Sequence, residues 1–148
     1  MKTIFDPTVR KELLERANRL TLQSERRWGS MRSDQGLHHI NAAFQLYLGE
    51  LTSPYHGNAA LAAIARLVTF SPIPIPREKG RTAPSLIADK TYDLADEKAR
   101  MAQLLERVAT RPVNASWPVH PFFGQLTGEQ YGKLGYKHTD HHLKQFGV

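Results

Sequence analysis

His138 and His142 stand four residues apart in the segment TGEQYGKLGYKHTDHHLKQFGV. On a helix, that spacing stacks two imidazoles one turn above the other. The same helix places Tyr131, Leu134, His138, His142 and Gln145 on one face. Lys133, Lys137, Asp140 and Lys144 fall on the other. Two histidines therefore occupy the stripe that should point at the core. Imidazoles on successive turns can chelate one metal ion, and a third ligand must then come from another helix. His39 is the candidate. Neutral imidazole suits Zn, Ni, Cu and Fe, and three protein ligands leave a position for water or substrate. A buried polar group without a partner costs on the order of 1–3 kcal/mol, and one divalent cation satisfies several nitrogens together. Against this, a chain with seven histidines can carry a His-x-x-x-His pair by chance. The inward placement is what favours a metal site. His141 reads first as a boundary residue, with a supporting partner or an alternative ligand as the other readings.

The elements that must position these residues are helical. Asp6-Pro7 has the form of an N-cap followed by proline in the first turn. Val9, Leu13, Ala17 and Leu20 then recur at helical spacing, so helix one ends near Leu20. A polar connection over 21–33 contains Trp28-Gly29, and Ser33 is the expected cap of helix two, about 34–50. Leu37, Ile40, Phe44, Leu48 and Leu51 form its apolar stripe. His38, Asn41 and Gln45 look like its wetter side. His39 projects near Ala43 and Tyr47, so periodicity favours His39 over His38 as the inward residue.

A long crossover, 51–92, holds a short apolar helix from Ala59 to Phe70 and then Pro72, Pro74 and Pro76, which should run extended. The stretch 77–85 is basic and expected to be mobile. Asp93 caps helix three, whose inner face is Leu94, Met101, Leu104, Leu105 and Val108. Pro112, Pro118 and Pro121 make 111–126 a loop. Thr127 with Gln130 matches a capping box for helix four, about 128–146, and Gly147 is its stop. No alternating strand is evident; Ile73–Pro76 is at most a short extended edge.

The 148 residues suit one domain, 1–148, and a hydrophobic share of 41% supports a packed core. No apolar run approaches a membrane span, and charges interrupt the N-terminus before a secretory signal could form. A cytoplasmic location is the expectation. The absence of cysteine excludes disulfides, thiolate ligands and cysteine nucleophiles. The formal charge of +6 invites a nucleic-acid reading, but the basic residues are scattered among acids. Neither nucleic acid nor membrane is expected as a partner. There is no Gly-x-Ser-x-Gly elbow, phosphate-binding glycine loop or paired-cysteine zinc signature.

Two segments carry a family likeness. One is Trp28-Gly29-Ser30-Met31 with Gln35-Gly36-Leu37-His38-His39. The other runs from His120-Pro121-Phe122-Phe123-Gly124 to Tyr136-Lys137-His138-Thr139-Asp140-His141-His142. With them the chain resembles the DinB/YfiT-like superfamily of metal-binding proteins, in particular an uncharacterised bacterial branch. The resemblance implies an all-α four-helix bundle with a long crossover, carrying a short extra helix, between helices two and three. It implies one divalent metal, Zn, Ni or Fe, held by His39, His138 and His142. Gly36 and Arg32 depart from the family pattern, and Gly36 suggests a looser start to helix two. Some relatives are thiol S-transferases that use a low-molecular-weight thiol, and others have no known activity.

The resulting expectation is a metal-dependent transferase or hydrolase acting on a small molecule. Tyr131, Gln145, His120 and His141 are candidate helpers. His120 reads more readily as part of a rigid turn, with Phe122 and Phe123 capping the bundle. Trp28 reads more readily as a core anchor than as a substrate platform. Arg77, Lys79 and Arg81 could reach an anionic substrate, though a solvated loop is the plainer reading. The alternative function is a non-catalytic, metal-stabilised helical binding or stress-related protein. A homodimer is plausible by analogy alone.

Overall fold

The computed structural model describes residues 1–54, 58–71, 73–75, 77 and 83–148, without the side chains at 59 and 61. Among these the chain is mostly helical. Its elements are α1 (Pro7–Asn18), α2 (Ser33–Leu48), α3 (Ala59–Thr69), a 3₁₀ turn (Pro84–Leu86), α4 (Leu94–Thr110), β1 (Val119–His120), β2 (Gly124–Gln125) and α5 (Gly128–Gln145). Four helices make the main packing: α2 lies against α4 and α5, and α1 lies against the same two. No described helix is long and apolar enough to cross a membrane.

The local signals act as chemistry dictates. Asp6 accepts the Thr8 amide at 2.8 Å and Asp93 accepts that of Asp96 at 2.9 Å, so both carboxylates cap helix starts. Thr127 and Gln130 close the expected capping box at α5. Ser33 does not cap α2. Arg32 is the capping residue: the Gln35 side-chain oxygen takes its amide at 3.0 Å, and the Ser33 hydroxyl donates to the Thr21 carbonyl. Gly36 does not loosen α2 either. A Cβ there would meet the Phe146 ring at 2.4 Å, so the missing side chain lets the C-terminal ring seat against the helix.

The core is formed by Ile4, Val9, Leu13, Ala17, Leu37, Ile40, Phe44, Met101, Leu104, Leu105, Val108, Tyr131, Leu134 and Leu143. Leu94 packs only at its margin. Asn41 departs from the sequence expectation. It is fully buried, and its amide donates to the Glu97 carboxylate at 2.6 Å and the Glu97 carbonyl at 2.8 Å.

The segment 111–126 is not wholly loop. β1 and β2 pair antiparallel, with His120 opposite Gly124 and Val119 opposite Gln125. Pro121 sits in the connection, where its missing N–H breaks no ladder bond. In the crossover, α3 is tied to α5 by Lys137, whose ammonium donates to the Thr69 and Ser71 carbonyls at 2.7 and 3.0 Å. That satisfies carbonyls the helix end leaves open. The extended reading at Pro72 and Pro76, and the basic residues Lys79 and Arg81, lie outside the described residues.

Candidate metal centre

α5 brings His138 and His142 to one face, and α2 brings His39 to meet them. The His138 Nε2 lies 3.1 Å from that of His39 and 3.2 Å from that of His142. Among the described residues these three form the one group of His, Cys, Asp or Glu with ligand atoms within 4.8 Å of one another. Nitrogens bound to a single zinc at its usual bond length and tetrahedral angle sit about 3.3 Å apart. His39 and His142 are buried and His138 is partly buried.

The outer nitrogens decide what the inner ones carry. His39 Nδ1 is 2.9 Å from the Leu86 carbonyl. A carbonyl only accepts, so Nδ1 bears the proton and His39 Nε2 is a bare lone pair. His142 Nδ1 is 3.0 Å from the Gln145 side-chain oxygen. The Gln145 amide orientation is fixed in turn, because its nitrogen donates to the Trp28 carbonyl at 2.7 Å. His142 Nε2 is therefore also a bare lone pair. Both point at His138 Nε2, which has at most one proton to give. At least one buried nitrogen lone pair therefore faces another nitrogen that has no proton to share with it, an arrangement that a cation would resolve.

Burial acts in the same direction. It pushes the His142 pKa down to about 3, with the nearby His39 adding to the effect. Burial also lowers His39, and it lowers His138 well below the usual range with help from the neighbouring histidines. The rings are held neutral, the form in which imidazole ligates metal.

The loop before α2 supports this arrangement. Gly29 adopts φ +75°, and a Cβ there would meet the Gln145 nitrogen at 2.5 Å. The Arg27 amide donates to the Gln145 carbonyl at 2.7 Å. Trp28-Gly29 thus grips the residue that orients His142.

A cavity of about 620 Å³ opens beside the three histidines. Its walls include Trp28, Tyr47, His120, Phe122, Phe123 and His141. Trp28 is therefore a cavity wall rather than a core anchor; the deeply buried tryptophan is Trp117. Arg77 lies over the Trp28 ring, 4.3 Å from its centroid. His141 packs between Trp28 and His142 and is outside the ligand trio. Tyr131, a candidate helper by sequence, does not line the cavity. Its hydroxyl donates to the Pro118 carbonyl at 2.9 Å and its ring stacks on Trp117, away from the cavity. Sequence reasoning placed Tyr47 beside His39 without assigning it to the cavity. His38 faces the other way, toward Glu97 and Tyr92.

Compared with known proteins, residues 8–147 match a family model described as "Protein of unknown function (DUF1569)". No curated protein and no solved structure matches the chain.

Proposed function

The chain belongs to the DUF1569 family, and we propose that it is a divalent-metal-dependent enzyme of the DinB-like superfamily. It transfers a thiol or hydrolyses a small molecule in the cavity beside His39, His138 and His142. The single observation that carries this reading is the convergence of bare Nε2 lone pairs from two helices on one point. The packing of α1, α2, α4 and α5 supports a four-helix bundle with α3 in the crossover.

The residues fit the cation they would hold. A divalent ion there supplies Lewis acidity and lowers the pKa of a bound water or thiol. The three histidines bind it, and the Leu86 carbonyl and Gln145 oxygen hold two of the rings in the ligating tautomer. Trp28, Phe122 and Phe123 give the cavity apolar walls. The cavity volume falls within the range of small-molecule sites. A purely structural ion calls for a fourth protein ligand, and among the described residues none joins the three. This favours catalysis over the metal-stabilised binding protein.

The test is elemental analysis of protein purified without a histidine tag, beside His39→Ala and His142→Ala. Near-stoichiometric metal in the parent and depletion in both variants is expected. Equal metal in all three overturns the reading.

A further inference from the structure

His120 belongs to the hairpin rather than to either ligand helix, yet it faces the same cavity. Alternation along β1 turns Val119 outward and His120 inward, where it is 7% exposed. Its Nδ1 accepts the backbone amides of Phe122 at 3.2 Å and Phe123 at 3.4 Å. An amide only donates, so Nδ1 carries no proton and the neutral ring bears it on Nε2. The ring is held by Phe123, Tyr47 and Tyr131, at centroid distances of 4.6, 6.4 and 6.3 Å.

Pinning this turn does not require an imidazole. Asn or Asp supplies the same acceptor in tight turns without burying a second nitrogen. What the histidine adds is one N–H donor in the cavity wall, with its tautomer set by the chain's own backbone. We propose that His120 is the cavity's substrate-binding donor, offering Nε2–H to a carbonyl-type oxygen of a small molecule bound beside the three histidines. The inference rests on the metal reading above, because it places that molecule at the same site.

The role is narrower than that of a proton carrier. Taking a proton at Nδ1 would break two backbone hydrogen bonds, and losing the one at Nε2 would leave an imidazolate. Burial holds the ring neutral, with a pKa pushed down to about 4. A neutral, fixed donor suits an oxygen on which negative charge develops.

The experiment uses the cobalt-loaded full chain, its His120→Asn variant, which keeps an acceptor near Nδ1, and its His120→Gln variant, which keeps a donor near Nε2. Cobalt content is measured first. Each protein is then titrated with mercaptopropionamide and mercaptobutanamide, and with alkanethiols of matched length. Binding is read from thiolate-to-cobalt absorption. The parent is expected to prefer the better amide thiol by about tenfold over its alkane match, a typical worth for one buried hydrogen bond. The His120→Asn variant should lose that preference and the His120→Gln variant should keep part of it. Cobalt bound with the same preference in the parent and in His120→Asn, or with none in the parent, overturns the donor role alone. A parent that binds no cobalt overturns the metal reading and this inference together. Ring-nitrogen NMR of the zinc-loaded parent needs no variant: it should show a protonated Nε2 that shifts with the amide thiol and not with the alkanethiol. A protonated Nδ1 overturns the proposal.

Discussion

His38 and His39 are neighbours on α2, and each reaches a buried polar cluster on a different side of the helix. His38 meets Glu97 at 2.8 Å, stacked on Tyr92 at 3.7 Å. Glu97 also accepts the Asn41 amide, so its two oxygens take two donors. Donors there meet acceptors, apart from the Asn41 oxygen, which has no partner among the described residues. On the other side, His39 and His142 both turn a bare nitrogen toward His138, which has a proton for one of them at most. Both clusters sit beside the same core. The first is a network that largely closes on itself and needs nothing from outside. The second has at least one lone pair more than it has protons, so a cation at its centre would stabilise it. Burial alone does not distinguish structural polar groups from a receptor; the count of protons against lone pairs does.

The sharpest way to break this contrast is to supply the missing charge. Zinc or cobalt at about a thousandfold above its Kd should stabilise the parent by about 4 kcal/mol in chemical denaturation. His142→Ala should lose nearly all of that gain, whereas His38→Ala should keep it. If His38→Ala lost it equally, the two clusters would not be functionally separate.

A somewhat smaller effect comes from acid. His120 titrates near 6.5 in the unfolded chain but near 4 in the folded one. The unfolded state therefore takes up the proton first. Its contribution to stability is intact above about pH 6.5 and is lost as pH falls toward about 4. Metal-free parent should lose on the order of 3 kcal/mol more than His120→Asn across that window. Parallel stability curves in urea at each pH would show that the ring is not held neutral.

Gln145 sharpens the comparison on the receptor side alone. Gln145→Ala leaves all three ligands in place but frees the His142 tautomer. Metal affinity should fall about 10- to 100-fold by competition with a chromophoric chelator. An unchanged affinity would mean that the Trp28–Gln145–His142 chain does not orient the ligand.

The two regions also differ in how much the sequence disclosed. The receptor was legible because its ligands follow rules of one helix at a time. His138 and His142 share a face by their spacing, and the apolar stripe from Leu37 to Leu48 turns His39 inward. The self-satisfied network was not legible. Asn41 looks like the wet side of α2 until Glu97, 56 residues away, arrives to pair with it. Gly36 signals looseness until Phe146 fills the space. Cap assignment slipped by one residue because Gln35, reaching back, made Arg32 the capping position. The 119–125 hairpin was hidden by Pro121 and the preceding Pro118, and with it the tautomer of His120. In each case the deciding partner is distant in sequence or comes from the backbone, and helical periodicity carries neither.

The smallest expected effect tests the closed network. Glu97→Gln keeps the shape of the side chain but offers one acceptor where two donors, His38 and the Asn41 amide, now converge. His38 can meet the new amide only by turning a bare Nδ1 toward it, and both contacts then lose the carboxylate charge that strengthens them. Hydrogen bonds to a charged group are worth about 1 kcal/mol more than neutral ones, and the low end applies because His38 is partly exposed to water. Stability in urea should therefore drop by about 1 kcal/mol, while metal content and cobalt spectrum match the parent. A change in the cobalt spectrum would mean that strain passes across α2 from one histidine to its neighbour. The separation between a self-contained polar core and a cation receptor would then be a matter of degree.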